Sequence, residues 1–133
     1  MIPVYQANPE AGAAPGEKEK EGGPAPRRSI VVVEVGRPVV QDVRSQIGEP
    51  DAVISYQRPV LDSEIPLIAG EVYKAVAKAA SGGHEVHLVL SGPLGLAFQI
   101  GQLVGLSHFK LVIYQFSAGR YRPVPPVTRE VMF

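Results

Sequence analysis

Six consecutive residues constrain the fold of this chain more than any others: Ile30-Val31-Val32-Val33-Glu34-Val35. β-Branched side chains are stiff and crowd a helix, but they suit a pleated strand. A run that stays apolar at successive positions, instead of alternating, suits a strand buried on both faces. Strands of that kind belong to parallel sheets covered by helices on either side. The run therefore points to an α/β chain before any other segment is read.

The segments that follow keep to that scheme. Gly36 ends the run, Pro38 suits the first turn of a helix, and Gly48 marks the helix end. Val39, Val43 and Ile47 fall four apart, on one helical face. A second strand is expected at residues 52–56. Asp62 or Ser63 is expected to cap the next helix, with Glu64 favourable in its first turn. Ile65, Ile68, Val72, Val76 and Ala79 recur at spacings of three and four, opposite Glu71, Lys74 and Lys78, until Ser81-Gly82-Gly83 stops the helix.

A third strand is expected at residues 86–90, broken by Ser91-Gly92-Pro93. The helix expected at residues 94–104 is apolar nearly all round, with Gln99 and Gln102 as its polar surface. Such a helix is either deeply packed or part of a subunit interface. Residues 110–116 read as a fourth strand and Ser117-Ala118-Gly119 as a turn. Residues 120–127 return as an edge strand, because their prolines bar them from a sheet centre. Alternation of strand and helix implies right-handed crossovers. The expected fold is α/β, a Rossmann-like three-layer sandwich with a mostly parallel central sheet, over residues 29–133.

Residues 1–28 differ. From Ala7 to Pro26 the chain is almost entirely Ala, Gly, Pro, Glu and Lys, with no large aliphatic side chain. Such a stretch buries too little surface to offset chain entropy, so a flexible arm is expected. Ile2-Pro3-Val4-Tyr5 is the one part of it suited to docking.

Composition excludes several functions. Thirteen basic and thirteen acidic residues leave no net charge. A duplex DNA partner is therefore not expected, since binding it normally leaves a basic excess. There is no cysteine, so disulfides, thiolate metal sites and a cysteine nucleophile are ruled out. No apolar run is long enough to span a membrane, and the amino terminus lacks a secretory pattern. The expected location is the cytoplasm.

In open α/β sheets ligands bind beyond the carboxyl ends of the strands. That rule gathers Gly36, Arg37 and Pro38; Tyr56, Gln57 and Arg58; Ser91, Gly92 and Pro93; and Gln115, Phe116 and Ser117. Ser91-Gly92-Pro93 opens a helix, where unpaired amides and the helix dipole favour an anion. Gly36 and Gly92 allow close backbone approach. Arg37 and Arg58 offer planar cations suited to phosphate. Tyr56 and Phe116 are candidates for stacking on a base. The expected ligand-binding set is Gly36, Arg37, Tyr56, Arg58, Ser91, Gly92, Pro93 and Phe116. His84, His87 and His108 fall at or before the amino ends of strands, on the opposite edge, and no carboxylate cluster accompanies them. No metal site and no cofactor are expected. There is no P-loop, GxSxG or GxGxxG pattern.

One stretch carries a family resemblance. HLVLSGPLGLAFQIGQLVGLSHFKLVIYQFSAGRYRPV, residues 87–124, resembles the carboxy-terminal part of SAVED domains, sensors related to the CARF family of CRISPR systems. The matching features are Ser91-Gly92-Pro93, Leu96-Ala97-Phe98, Gly101, Tyr114 and Tyr121-Arg122-Pro123. The resemblance implies binding of a cyclic oligonucleotide second messenger, such as a cyclic oligoadenylate, in anti-phage (CRISPR or CBASS) defence. A full SAVED domain fuses two CARF-like halves and is usually tethered to an effector. This chain corresponds to about one half, so a homodimer or higher homo-oligomer and a separate effector protein are the implied partners. Two other functions compete with a stand-alone sensor. One is a metal-independent ring nuclease, in which a ribose 2′-hydroxyl attacks the adjacent phosphate while Arg37 and Arg58 stabilise charge and Ser91 positions the ligand. The other is a structural partner subunit that makes contact through residues 94–104.

Overall fold

The computed structural model describes residues 4–7, 27–105, 107 and 109–127. Its strands are β1 (Val4–Ala7), β2 (Arg28–Val35), β3 (Ala52–Tyr56), β4 (Glu85–Ser91), β5 (Lys110–Ser117) and β6 (Arg120–Val124). Its helices are α1 (Val40–Gln46), α2 (Ile65–Ala80) and α3 (Leu94–Val104). The strands form one sheet in the order β1-β3-β2-β4-β5-β6. The four inner strands are parallel, and β1 and β6 add antiparallel edges.

β2 lies beside β4 at the centre of the sheet, and from Ser29 to Val35 every residue is buried. Its pleat divides the core in two. Val31, Val33 and Val35 pack against Ile68, Val72 and Val76 of α2 and Leu96 and Ile100 of α3. Ile30 and Val32 pack against Val39 and Val43 at α1. Helices therefore cover both faces, as the unbroken apolar run of β2 requires. Fully burying a Val or Ile side chain contributes about 1.5–3 kcal/mol. The central strand and α2 are thus the main source of apolar stabilisation.

Two helix starts differ from expectation. α1 begins at Val40, two residues after Pro38, because the Glu34 carboxylate takes the amides of Val39 and Val40 at 2.7 and 3.1 Å and sets the first turn there. Asp62 and Ser63 do not cap α2. They form a 3-10 turn with Glu64, whose carboxylate reaches back to the Leu61 amide at 2.8 Å. The edge position of residues 120–124 agrees with their proline, which pairs with Tyr114 on the outer side of the sheet.

The expected flexible arm is corrected at Val4–Ala7. These residues form β1, hydrogen-bonded to β3 in register from Val4↔Ser55 to Ala7↔Ala52. Backbone pairing along an open strand edge offsets part of the cost of ordering these residues. The rest of that arm up to residue 26, and His108, lie outside the described residues.

α1 leaves β2 toward one face, and α3 leaves β4 toward the other. Between these adjacent strands the chain direction of the crossovers reverses, and open α/β sheets bind ligands at the carboxyl rim of such a switch point.

Candidate functional site

Register across the sheet places one row of side chains at this rim, on the α1 side. Glu34 pairs with Ser55 of β3 and with Ser91 of β4. The β4–β5 ladder ends at Val89↔Tyr114; two residues beyond it, Ser91 and Phe116 continue the same face of their strands, and Phe116 pairs with Tyr121. The row therefore runs Ser55, Glu34, Ser91, Phe116, Tyr121, polar at one end and aromatic at the other.

Glu34 is buried at 7% exposure, and its charge is compensated there. Besides the Val39 and Val40 amides, it accepts the Ser55 hydroxyl at 2.9 Å and lies 3.4 Å from Gln57 Nε2. A carboxylate at the start of a helix also meets the positive end of the helix dipole. α1 is thus closed to an outside anion by its own chain.

Gly36 adopts φ +96, and its amide donates to the Tyr56 carbonyl at 2.9 Å. This is a left-handed conformation that a side chain would strain. The turn projects Arg37 across the rim, where its guanidinium lies 5.1 Å from the centroid of the Phe116 ring. Phe116 is 41% exposed and contacts the Tyr121 ring at 4.9 Å. Among the described residues Arg37 forms no ion pair.

Ser91 ends β4, and Gly92-Pro93 leads into α3, which starts without a side-chain cap. A Cβ on Gly92 would stand 3.2 Å from Val35 Cβ, a tight contact that β2 would have to yield to by a few tenths of an ångström. Leu96 and Ile100 anchor α3, while Leu94 and Phe98 are 76% and 74% exposed. Of the two expectations for this helix, deep packing all round fails: Leu96 and Ile100 pack against the sheet and α2, and Leu94 and Phe98 face outward.

Tyr56 and Arg58 belong to the opposite side of the rim. Tyr56 packs in the core against α2 at 6% exposure, and its hydroxyl donates to Glu71. Burial first, and then Glu71, raise the phenol well above its ordinary range. Tyr56 is therefore not a stacking platform for a base, which corrects the expectation: its ring is covered on one side by the Arg58 guanidinium, 5.5 Å from its centroid. Arg58 forms a two-pronged pair with Glu64, at 3.1 and 2.6 Å. That guanidinium, followed by the Leu61 amide, holds the Glu64 carboxyl down to about 2.

Of the expected set, Gly36, Arg37, Ser91, Gly92, Pro93 and Phe116 lie at the carboxyl ends of β2, β4 and β5, while the side chains of Tyr56 and Arg58 are taken up by Glu71 and Glu64. Two open hollows flank the β5–β6 hairpin. One is lined by Ser45, Gln46, Gly119, Arg120 and Tyr121, the other by Gln115, Ser117 and residues 122–125. Neither joins Arg37, Arg58 and Ser91. At the other edge, His84 Nδ1 lies 3.3 Å from Ser29 Oγ, and His87 bridges Glu85 and Tyr114 at 2.8 Å each. Among the described residues no three metal-binding side chains gather.

Glu34 and Gln57 received no role from sequence reasoning. The signal for Glu34 was present, since an acid inside a β-branched run must be compensated when buried. Nothing local marks Gln57, because the carboxylate that orients it and its neighbour Ser55 is Glu34, on another strand.

A family model described as the SMODS-associated and fused to various effectors sensor domain, SAVED, matches residues 5–125. No curated protein matches the sequence. Among solved structures, the Acinetobacter baumannii Cap4 SAVED/CARF-domain containing receptor with the cyclic trinucleotide 3′3′3′-cAAA is similar at a TM-score of 0.67 and 17% identity, over 92% of this chain and 27% of that one. The same receptor with 2′3′3′-cAAA is similar at a TM-score of 0.58 and 19% identity, over 74% and 24%. A third structure of it gives a TM-score of 0.60 and 20% identity, over 75% and 24%. The chain thus spans about a quarter of that receptor's length. At these identities the likeness is one of fold.

Proposed function

The chain belongs to the SAVED family of sensor domains, and from that premise we propose that it binds a cyclic oligonucleotide second messenger at the crevice between β2 and β4. The observation that carries this reading is the position of Arg37. Its guanidinium rests on the exposed Phe116 ring near the end of β5, the strand beside β4. A neutral ring leaves the cation's hydrogen-bond donors unspent, so a phosphate can take them without displacing a carboxylate. The uncapped start of α3 supplies a second anion-binding element beside it. Phe116 and Tyr121 offer aromatic surface for a base. The Cap4 receptor, which shares the fold, was solved with cyclic trinucleotides.

Tyr56 and Arg58 serve this site as a brace. The Arg58–Glu64 pair and the Tyr56–Glu71 bond hold the β3–α2 loop, and with it Gln57, against the rim. The exposed Leu94 and Phe98 of α3 support self-association into a homodimer or higher oligomer. In this reading the module acts in the cytoplasm in anti-phage defence and passes its signal to a separate effector. No described helix is long and apolar enough to cross a membrane. Binding is favoured over cleavage because the carboxylate in the row, Glu34, already takes three donors.

The test is incubation of the purified chain with labelled cyclic di-, tri- and tetra-adenylates and their mixed-base relatives, followed by gel retardation and product analysis. Retention of an intact ring is the expected result. Linear products ending in 2′,3′-cyclic phosphate would make the protein a ring nuclease, and no binding across the panel would overturn the proposal.

A further inference from the structure

The hydrogen bonds beneath the rim have a definite direction. Glu34 Oε2 takes two backbone amides and Oε1 takes the Ser55 hydroxyl, so the carboxylate acts as an acceptor throughout. Ser55 has one hydroxyl hydrogen and gives it to Glu34. Its oxygen is then left to accept, and the group facing it is Gln57 Nε2 at 3.1 Å. The same Nε2 lies 3.4 Å from Glu34 Oε1, a longer contact of the same sense. An amide turned the other way would set its carbonyl oxygen against two acceptors. The oxygen and nitrogen of a glutamine side chain are usually assigned from such a network, and this one permits a single assignment. Gln57 is exposed and follows directly on β3. Its NH₂ is therefore spent inward, and its Oε1 is left as a fixed acceptor at the rim.

We infer that Gln57 selects the base at the proposed site, accepting a hydrogen bond from the exocyclic amino group of adenine or cytosine and rejecting a keto oxygen in the same place. The inference rests on the reading of this rim as a cyclic oligonucleotide site. A keto group would bring one acceptor against another that cannot rotate away, because rotation would break the contacts to Ser55 and Glu34. Gln57, directly after β3, and Phe116 on β5 stand at least three strand spacings apart, roughly 14 Å. That is too far for one base to reach both, so the two residues engage different bases of one ring. This geometry suits a cyclic oligonucleotide better than a mononucleotide.

Cyclic triadenylate and cyclic tri-inosinate, which differ in carrying amino or keto groups at the base edge, test this by calorimetric titration into the full chain. The wild-type protein should bind the adenine ring about tenfold more tightly, at the low end for one fixed base contact. Gln57→Leu should bring the two affinities together. Ser55→Ala removes one of the two acceptors that orient the amide and should narrow the ratio only in part, because Glu34 Oε1 still accepts from Gln57 Nε2. Thermal melts of both variants check that they remain folded. Equal affinity of the wild-type chain for the two rings, or an unchanged ratio in Gln57→Leu, overturns the role of Gln57 and leaves the rim as a binding site. If neither ring binds, the rim is not a cyclic oligonucleotide site and the selection falls with it.

Discussion

The two sides of the carboxyl rim use their arginines differently. On the α2 side, Arg58 is held by both oxygens of Glu64 and lies over a buried tyrosine. On the α1 side, Arg37 rests on Phe116 and forms no ion pair among the described residues. A guanidinium already paired with a carboxylate must lose that partner before it can take a phosphate. One placed on a neutral ring loses little. The same residue type is thus a brace on one side and a ligand group on the other, and the carboxylate beside it decides which.

Glu34, which organises the α1 side, carries the largest expected effect. In Glu34→Ala the amides of Val39 and Val40 and the Ser55 hydroxyl lose their acceptor in a buried setting. Unsatisfied donors of this kind cost about 1–3 kcal/mol each, so stability should fall by about 3 kcal/mol after partial relaxation. Urea unfolding measures it. A loss below about 1 kcal/mol would mean that water replaces the carboxylate and that α1 does not depend on it.

The two arginines should separate in their readouts. Arg37→Ala should weaken cyclic oligonucleotide binding by roughly tenfold or more, the equivalent of one charge-assisted hydrogen bond, and leave the urea midpoint unchanged. Arg58→Ala should lower the urea midpoint and weaken binding less. Equal losses of affinity in both variants would erase the distinction between the two sides.

The smallest effect is one of pH. The Glu64 carboxyl titrates near 2 in the folded chain, against an ordinary value of 4.5, because Arg58 favours its ionised form. A depressed acid contributes stability that is complete above the ordinary value and is lost as pH falls toward the folded one. Wild-type stability should therefore decline between about pH 4.5 and 2, and Glu64→Gln should show a shallower decline there. Both partners are about a quarter exposed, at 23% and 26%, so solvent screening keeps the change modest. Identical acid limbs for the two proteins would show that the pair contributes nothing to folding.

Much of the architecture is legible in local pattern. The 52–56 strand and the 94–104 helix have the expected bounds, and the central strand and α2 differ by one to three residues at their ends. Period and turn residues carry those elements, and both are properties of short windows. Strand β1 is not legible, because Val4–Ala7 is ordered by a neighbour that comes more than forty residues later. Tyr56 and Arg58 share a loop sequence with Gln57, and nothing in that tripeptide tells which points to the core, to Glu64 or to Ser55.

What this chain's order of residues settled alone was the α/β layering: a β-branched run buried on both faces needs helices on either side, and glycines and prolines mark where each element stops. Which side chains meet was settled by folding. The row from Ser55 to Tyr121 draws on five strands, and its hydrogen-bond directions follow from one buried carboxylate. Short-range pattern encodes burial, which depends on local period. It does not encode pairing across strands, which depends on register between distant segments.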